Sequence, residues 1–253
     1  MEGKSRLRIS ILQPGYLPWL GFFEQMYRTD VFVLYDDVQY DKEGWRNRNR
    51  IKGAGGALWL TVPVHVKLSD HPLISEVRID NKTNWRKKHL LSLKMNYAKA
   101  PFFPDFIGIF EEAFSREWDY LVDIDVYFIL KLSDCLGMGN KKIVRSSELN
   151  VEGDRIERLI NICKIFDADI FYEGASGKNY LDSDYFSKKG VAIEYQDYVH
   201  PVYRQLYGDF IPYLSLVDLL FNHGAESLGI LTSGNNAKML YPPLEKGGEG
   251  DFK

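Results

Sequence analysis

The stretch LRISILQPGYLPWLGFFEQMYRTDVFVLY, residues 7–35, decides the fold of this chain. Its first six residues predict a short buried strand, which ends at Gln13 because Pro14 lacks the backbone N–H that a central strand needs. Apolar residues at helical spacing then predict a helix over 19–27, preceded by a proline where a first-turn proline is tolerated. The continuous apolar run over 31–35 is typical of a strand buried on both faces. This order of elements predicts a βαβ unit with parallel strands.

The rest of the chain continues the α/β pattern. Further strands are predicted over 58–66, 170–172 and 191–195, and Pro63 implies an edge or a bulge in the first of them. Helical spacing predicts helices over 85–97, 106–114, 120–136, 154–166 and 214–221. We therefore expect a Rossmann-like, mostly parallel sheet with flanking helices, forming one domain over residues 1–240. Residues 241–253 have the Pro, Gly and charge content of a disordered tail.

Composition and charge exclude several classes of protein. A hydrophobic content of 45% is ample for a core, and 14% aromatic residues predict that some rings line a cleft. A net charge of −3 does not suit a nucleic-acid-binding domain. No apolar stretch approaches the roughly 20 residues of a membrane span, and the run Ile9–Leu12 is too short for a secretory signal. With only two cysteines, at 135 and 163, we expect a cytoplasmic protein.

Polar residues follow the first two predicted strands, where each strand ends. Gln13 and Tyr16 follow the first strand, and Asp36, Asp37 and Gln39 follow the second. Because ligands of parallel sheets sit beyond the carboxyl ends of the strands, we expect these residues to lie together at a ligand site. The free N–H groups of the helix that begins near Trp19 favour an anionic group there. A rigid turn that buries its aromatic side chains in the core explains the same sequence equally well.

A basic segment comes close behind. Arg46, Asn49, Arg50 and Lys52 belong to the run RNRNRIK, whose alternating arginines share one face if the chain is extended. The planar guanidinium forks suit a diphosphate, so we predict that these four residues bind ligand. The alternatives are a solvated loop and a contact with RNA, and the acidic pI of about 6.0 disfavours the RNA contact.

Three later segments supply the remaining candidates. His89 lies on the basic helix over 85–97, where a solvated face is the competing interpretation. Ser176 and Lys178 belong to GASGK, whose glycines permit close backbone approach although its spacing is not that of a P-loop. His200, Tyr203 and Gln205 follow the predicted strand over 191–195, and a histidine titrates near neutrality. No close histidine or cysteine spacing predicts a metal site.

Taken together, these motifs resemble the WbqC-like protein family. The likeness runs from about residue 9 to 223 and rests on QP at 13–14, YLPWLG at 16–21, DDVQ at 36–39, RNRNRIK at 46–52, LTVPV at 60–64, NWRKKH at 84–89, NY at 96–97, residues 172–180, HPVY at 200–203 and Gln205. The resemblance implies a bacterial protein of O-antigen and related surface-polysaccharide assembly, in which some members are described as acyl-group transferases acting on amino sugars. The opening βαβ unit is also similar to that of nucleotidylyltransferase-like folds. Their H-x-G-H signature is absent here, which argues against adenylyl chemistry.

The leading functional hypothesis is a transferase that places an aminoacyl, such as glycyl, or other acyl group on a nucleotide-linked amino sugar. Asp37 or His200 would remove the proton of the amine, and such a base is worth about 10² to 10⁴-fold in rate. The alternative is a non-catalytic protein that binds sugar nucleotides or organises a polysaccharide pathway. The sequence names neither a cofactor nor an oligomeric state.

Overall fold

The computed structural model describes residues 6–42, 44–67 and 71–233. The helices and strands, in chain order, are β1 (Arg8–Leu12), α1 (Leu20–Tyr27), β2 (Val31–Leu34), β3 (Arg48–Gly53), β4 (Gly56–Thr61), β5 (Val64–His65), β6 (Arg78–Ile79), α2 (Trp85–Tyr97), α3 (Phe103–Ser115), α4 (Leu121–Cys135), β7 (Lys142–Arg145), α5 (Arg155–Ile165), β8 (Ile170–Glu173), α6 (Ser183–Lys188), β9 (Ala192–Tyr195), α7 (Leu216–His223) and α8 (Ser227–Ser233).

Five of the strands form a parallel sheet in the order β7-β2-β1-β8-β9. Its centre is the predicted βαβ unit, in which Ile9 of β1 lies opposite Val31 of β2. The chain first adds strands on one side of β1 and then crosses to add β8 and β9 on the other side. The predicted α/β fold with a Rossmann-like parallel sheet is therefore confirmed, and the order of the strands changes direction between β1 and β8.

The two faces of the sheet belong to different hydrophobic cores. Val31 and Val33 of β2 pack into a core with α5 and α6, while Phe32 and Leu34 pack into a larger core on the other face. This alternation follows from the two-residue period of a strand. Helix α1 lies in the larger core and buries seven of its eight residues, as expected of a helix that is apolar on most of its surface.

A long insertion between β2 and β7 builds one wall of the candidate site. It contains the antiparallel hairpin β3–β4, in which Arg50 lies opposite Trp59, the small pair β5–β6 and the helices α2 to α4. The basic segment is thus a strand for most of its length and not a loop. The strand predicted over 58–66 is two strands, separated near Pro63, which lacks a ladder donor.

Several elements differ from the expectation. Strand β7 and helices α6 and α8 were not predicted; β7 has only two apolar residues, Ile143 and Val144, between charged neighbours. No helix in the described part of the chain is long and apolar enough to cross a membrane. The predicted tail over 241–253 lies outside the described residues, and the single domain over 1–240 stays a prediction.

Candidate functional site

A cavity of about 650 Å³ opens at the carboxyl ends of β1 and β8, where the strand order changes direction. Its volume falls within the range of small-molecule sites, and its position is the one at which ligands bind in open α/β sheets. The lining combines aliphatic, aromatic and polar residues: Ile11, Leu12, Gln13, Gly15, Pro18, Trp19, Phe22, Tyr35, Trp45, Arg46, Asn49, Arg155, Leu159, Glu173, Ser176, Tyr180 and Tyr213.

One wall forms where the turn after β1 meets the segment before β3. Nη1 of Arg46 donates hydrogen bonds to the carbonyl oxygens of Gln13 (3.0 Å) and Pro14 (3.1 Å). The backbone N–H of Tyr16 in turn donates to the carbonyl of Arg46 at 3.0 Å. The two backbones approach so closely that a Cβ added to Gly15 would lie 2.8 Å from a facing carbonyl oxygen. The glycine therefore allows this wall to form.

Arg46 brings a positive charge to this wall. Its guanidinium donates to carbonyl groups and makes no ion pair within the described residues, and its buried Nε has no hydrogen-bond partner there. Burial lowers the pKa of Arg46, an effect opposed by the charges of Asp125 and Asp41. An arginine nonetheless stays protonated in proteins. The cavity wall therefore carries a cationic group to which an anionic ligand could bind.

A second part of the cavity wall carries Glu173, the last residue of β8. This side chain is only 6% exposed, and the hydroxyl of Tyr180 donates to its Oε1 at 3.1 Å. Burial raises the pKa of Glu173 to about 7, although the hydrogen bonds from Tyr180 and from the Gly174 N–H oppose the rise. Arg155, the first residue of α5, lies with its Cζ 4.8 Å from the centre of the Tyr180 ring. A carboxyl group that exchanges protons near neutral pH thus lies on the same cavity wall as an arginine.

Four of the predicted ligand-binding residues, Gln13, Arg46, Asn49 and Ser176, line this cavity. The side-chain amide of Asn49 donates to the carbonyl of Leu17 at 2.8 Å, which joins β3 to the turn that leads into α1. Ligand contact by these residues stays a prediction. Their common position places the turn after β1 and the basic segment on one cavity.

Tyr16 and His89 lie in the core and not on the cavity wall. Both are buried, and the Tyr16 hydroxyl is 2.9 Å from Nδ1 of His89, within hydrogen-bonding distance. Burial lowers the pKa of His89 to about 4, so its imidazole is neutral at physiological pH. The alternative of a turn with a buried aromatic side chain therefore describes Tyr16 better than a ligand contact does.

Asp36 and Asp37 are held by ion pairs with the chain itself. Asp36 is completely buried and accepts hydrogen bonds from Nε of Arg145 (2.7 Å) and the hydroxyl of Ser147 (2.9 Å). Asp37 pairs with Arg158 and also accepts from the hydroxyl of Ser146. These contacts anchor the end of β2 to β7 and α5. They occupy the oxygens that a proton acceptor would need, so the geometry does not support Asp37 as the base.

A largely buried network of hydrogen bonds beneath the hairpin contains Lys52, Tyr203 and Gln205. Nζ of Lys52 donates to Oε1 of Gln205 at 2.9 Å, and the Tyr203 hydroxyl donates to Asp218 at 2.9 Å. Burial raises the pKa of Asp218 to about 6. These hydrogen bonds join β3 and α7 to the segment after β9. The geometry therefore indicates a structural role for these residues and does not support the predicted ligand contact.

His200 packs behind the cavity. Its Nδ1 lies 2.8 Å from the carbonyl of Pro201, and its Nε2 accepts the backbone N–H of Tyr213 at 3.2 Å. Its ring stacks on Trp19 with centroids 6.4 Å apart, and burial lowers its pKa. Both ring nitrogens are therefore engaged by the backbone, and the geometry does not support His200 as a general base.

The last three candidates lie outside the cavity wall. Nε2 of the exposed Gln39 is 2.7 Å from Nδ1 of His71. Lys178 is exposed, with Nζ 5.6 Å from the ring centre of Tyr195. Arg50 lies next to the cavity, where its Cζ is 5.6 Å from the ring centre of Trp45.

Sequence reasoning did not select Glu173, Arg155, Tyr180 and Tyr213, although all four line the cavity. A usable signal existed for Glu173, because a carboxyl group that ends an apolar strand of a parallel sheet is placed at the ligand-binding edge. The others reach the cavity through tertiary packing. Within the described residues, no three His, Cys, Asp or Glu side chains form a group that could hold a metal ion.

The five-stranded parallel sheet and the cavity at its change of direction define an α/β protein with a Rossmann-like fold. This chain belongs to the WbqC-like protein family, whose pattern matches residues 13–230, in agreement with the resemblance noted in the motifs. It is 35% identical over 222 residues to the uncharacterized protein Rv1507c of Mycobacterium tuberculosis, an alignment that covers 87% of this chain and 95% of that relative. No solved structure matches the chain.

Proposed function

We propose that the protein is a transferase that places an acyl group on the amine of a nucleotide-linked amino sugar. The observation that carries this proposal is Glu173, a nearly buried carboxyl on the cavity wall whose pKa of about 7 suits it to accept and return a proton at neutral pH. The family resemblance supports a setting in surface-polysaccharide assembly, such as that of O-antigen, as part of this proposal.

The charges around the cavity support an anionic, nucleotide-linked substrate. Arg46 and Arg155 both line the cavity, and Arg46 makes no ion pair within the described residues. Guanidinium groups bind phosphate oxygens with planar, bidentate geometry, so these two side chains are the proposed ligands of a diphosphate. The aliphatic and aromatic remainder of the lining excludes water from the sugar.

The proposed reaction joins the amine nitrogen to the acyl carbon of an activated donor, which is an acyl ester, thioester or phosphate. As the nitrogen–carbon bond forms, the Glu173 carboxylate takes a proton from the amine. When the bond between the acyl carbon and the leaving group breaks, the protonated Glu173 returns that proton to the leaving group. One carboxyl thus serves as base and then as acid, and its own proton count is unchanged over the cycle.

Mass spectrometry tests the proposal directly. The purified protein is incubated with nucleotide-linked amino sugars and a panel of acyl donors that includes glycine with ATP, and the expected result is a mass gain by the sugar nucleotide. Glu173→Gln should lose turnover and retain ligand affinity, whereas Glu117→Gln, the same change at an exposed ion pair, should retain both. Full turnover by Glu173→Gln contradicts the assignment. Ligand binding without turnover across the donor panel favours a non-catalytic sugar-nucleotide-binding protein.

A further inference from the structure

Two tryptophan side chains pair on the outer face of the hairpin, beside the mouth of the cavity. The ring centroids of Trp45 and Trp59 are 5.1 Å apart, and the rings are tilted by 33°. Cζ of Arg48 lies 5.0 Å from the centre of the Trp59 ring, and Cζ of Arg50 lies 5.6 and 5.7 Å from the centres of Trp45 and Trp59. We refer to Trp45 and Trp59 as the indole pair.

Both rings of the indole pair are largely exposed to solvent, and the hairpin does not depend on them for its packing. Trp45 is 44% exposed and Trp59 is 50% exposed. The inward side of the same hairpin carries Ile51 and Leu60, which are buried in the larger core, so the hairpin is anchored without the indoles. Exposed aromatic rings beside arginines form a surface on which a planar, electron-rich ring can stack.

We propose that the indole pair binds the nucleobase of the nucleoside diphosphate moiety of the substrate. This inference rests on the proposed function, which it extends by assigning the parts of the substrate to parts of the site. Trp45 is shared by the indole pair and the cavity wall, and the next residue is Arg46. A base on the indole pair therefore places its diphosphate at Arg46 and directs the sugar into the cavity toward Glu173.

A mononucleotide fits this surface better than a nucleic acid does. The indole pair offers one stacking site and leads into a cavity, whereas single-strand binding proteins use a positively charged groove that follows the backbone past several aromatic rings. The net charge of −3 also gives no general attraction for a polyanion. Binding of single-stranded RNA is accordingly an outcome that the experiment must exclude.

Isothermal titration calorimetry on the full chain tests the assignment with uridine 5′-diphosphate, guanosine 5′-diphosphate and inorganic pyrophosphate, which has no base. Base stacking on one aromatic ring corresponds to about a 5- to 150-fold difference in affinity. Trp59→Ala should weaken both nucleotides within this range and leave pyrophosphate unchanged, and Trp59→Phe should recover most of the loss. Tyr27→Ala is the matched control, because Tyr27 is 46% exposed on α1 and does not line the cavity.

Four results overturn the inference. The first three are equal nucleotide affinity in the parent and in Trp59→Ala, an equal loss of affinity for pyrophosphate, and tight binding of a single-stranded oligonucleotide in place of both nucleotides. The proposed transferase function fails in a different way, namely when the nucleotides bind with the expected dependence on Trp59 and no acyl donor yields a product. The fourth result that overturns the inference is the absence of binding by both nucleotides. In that case, the turnover assay with amino-sugar nucleotides tests the proposed function separately.

Discussion

Replacing Glu173 with glutamine removes a carboxyl group that the folded chain holds in an unfavourable environment. The side chain is 6% exposed, and burial raises its pKa from an ordinary value of 4.5 to about 7. Glutamine has nearly the same shape and can still accept the hydrogen bond from Tyr180. The substitution therefore isolates the free energy of ionising a buried carboxyl group.

The size of the effect follows from the two pKa values. In the unfolded chain the group ionises near pH 4.5, whereas in the folded chain it holds its proton until about pH 7. The stability that Glu173 contributes through the bound proton is therefore present below pH 4.5 and is lost as the pH rises through 7. A pKa difference of about 2.5, at about 1.36 kcal/mol per unit, corresponds to about 3 kcal/mol.

Urea unfolding at pH 4.5, 6 and 8.5 measures this quantity. The free energy of unfolding of Glu173→Gln, minus that of the parent, should increase by about 3 kcal/mol from the lowest to the highest pH. Glu117→Gln, measured in parallel, reports the effect of removing a carboxyl group from the surface. A difference between Glu173→Gln and the parent that stays constant across the pH range would refute the assignment of a raised pKa to Glu173.

Three further predictions concern the same site and its supports. Tyr180→Phe removes a hydrogen bond to the ionised Glu173 and should raise the pKa of that carboxyl by about one unit, as followed by carbon-13 NMR of labelled glutamate; an unchanged titration contradicts the contact. Gly15→Ala places a Cβ 2.8 Å from a backbone oxygen and should lower the free energy of unfolding by about 1–3 kcal/mol, whereas Gly108→Ala, which meets nothing within 4 Å on α3, should raise it by about 0.5–1 kcal/mol. Asp36→Asn removes the charge of a fully buried carboxylate that pairs with the partly exposed Arg145, which also pairs with Asp123, and should lower the free energy of unfolding in urea by about 1.5–3 kcal/mol; a cost near zero contradicts the contribution of this pair.

Local sequence patterns were sufficient to predict the helices and strands in which apolar and polar residues contrast strongly. Helix α2 has the predicted bounds, Trp85–Tyr97, and each element of the opening βαβ unit differs from its prediction by one residue at one end. Strand β7 was missed because it lies at the edge of the sheet, where Ile143 and Val144 are only partly buried and their neighbours are charged. The pattern of such a strand does not differ from that of a loop.

The sequence by itself determined the α/β class, the parallel opening unit and the edge of the sheet at which a ligand site was expected. Only the tertiary structure decided which polar side chains face the cavity. Tyr16 meets His89 across 73 positions, and Asp36 meets Arg145 across 109, so their partners are unrelated to local spacing. The raised pKa of Glu173 results from its burial in the folded chain, which a local sequence pattern does not report. Periodicity reports which face of a segment avoids water, whereas the state of a polar group depends on the partners and the solvent exclusion that the complete fold provides.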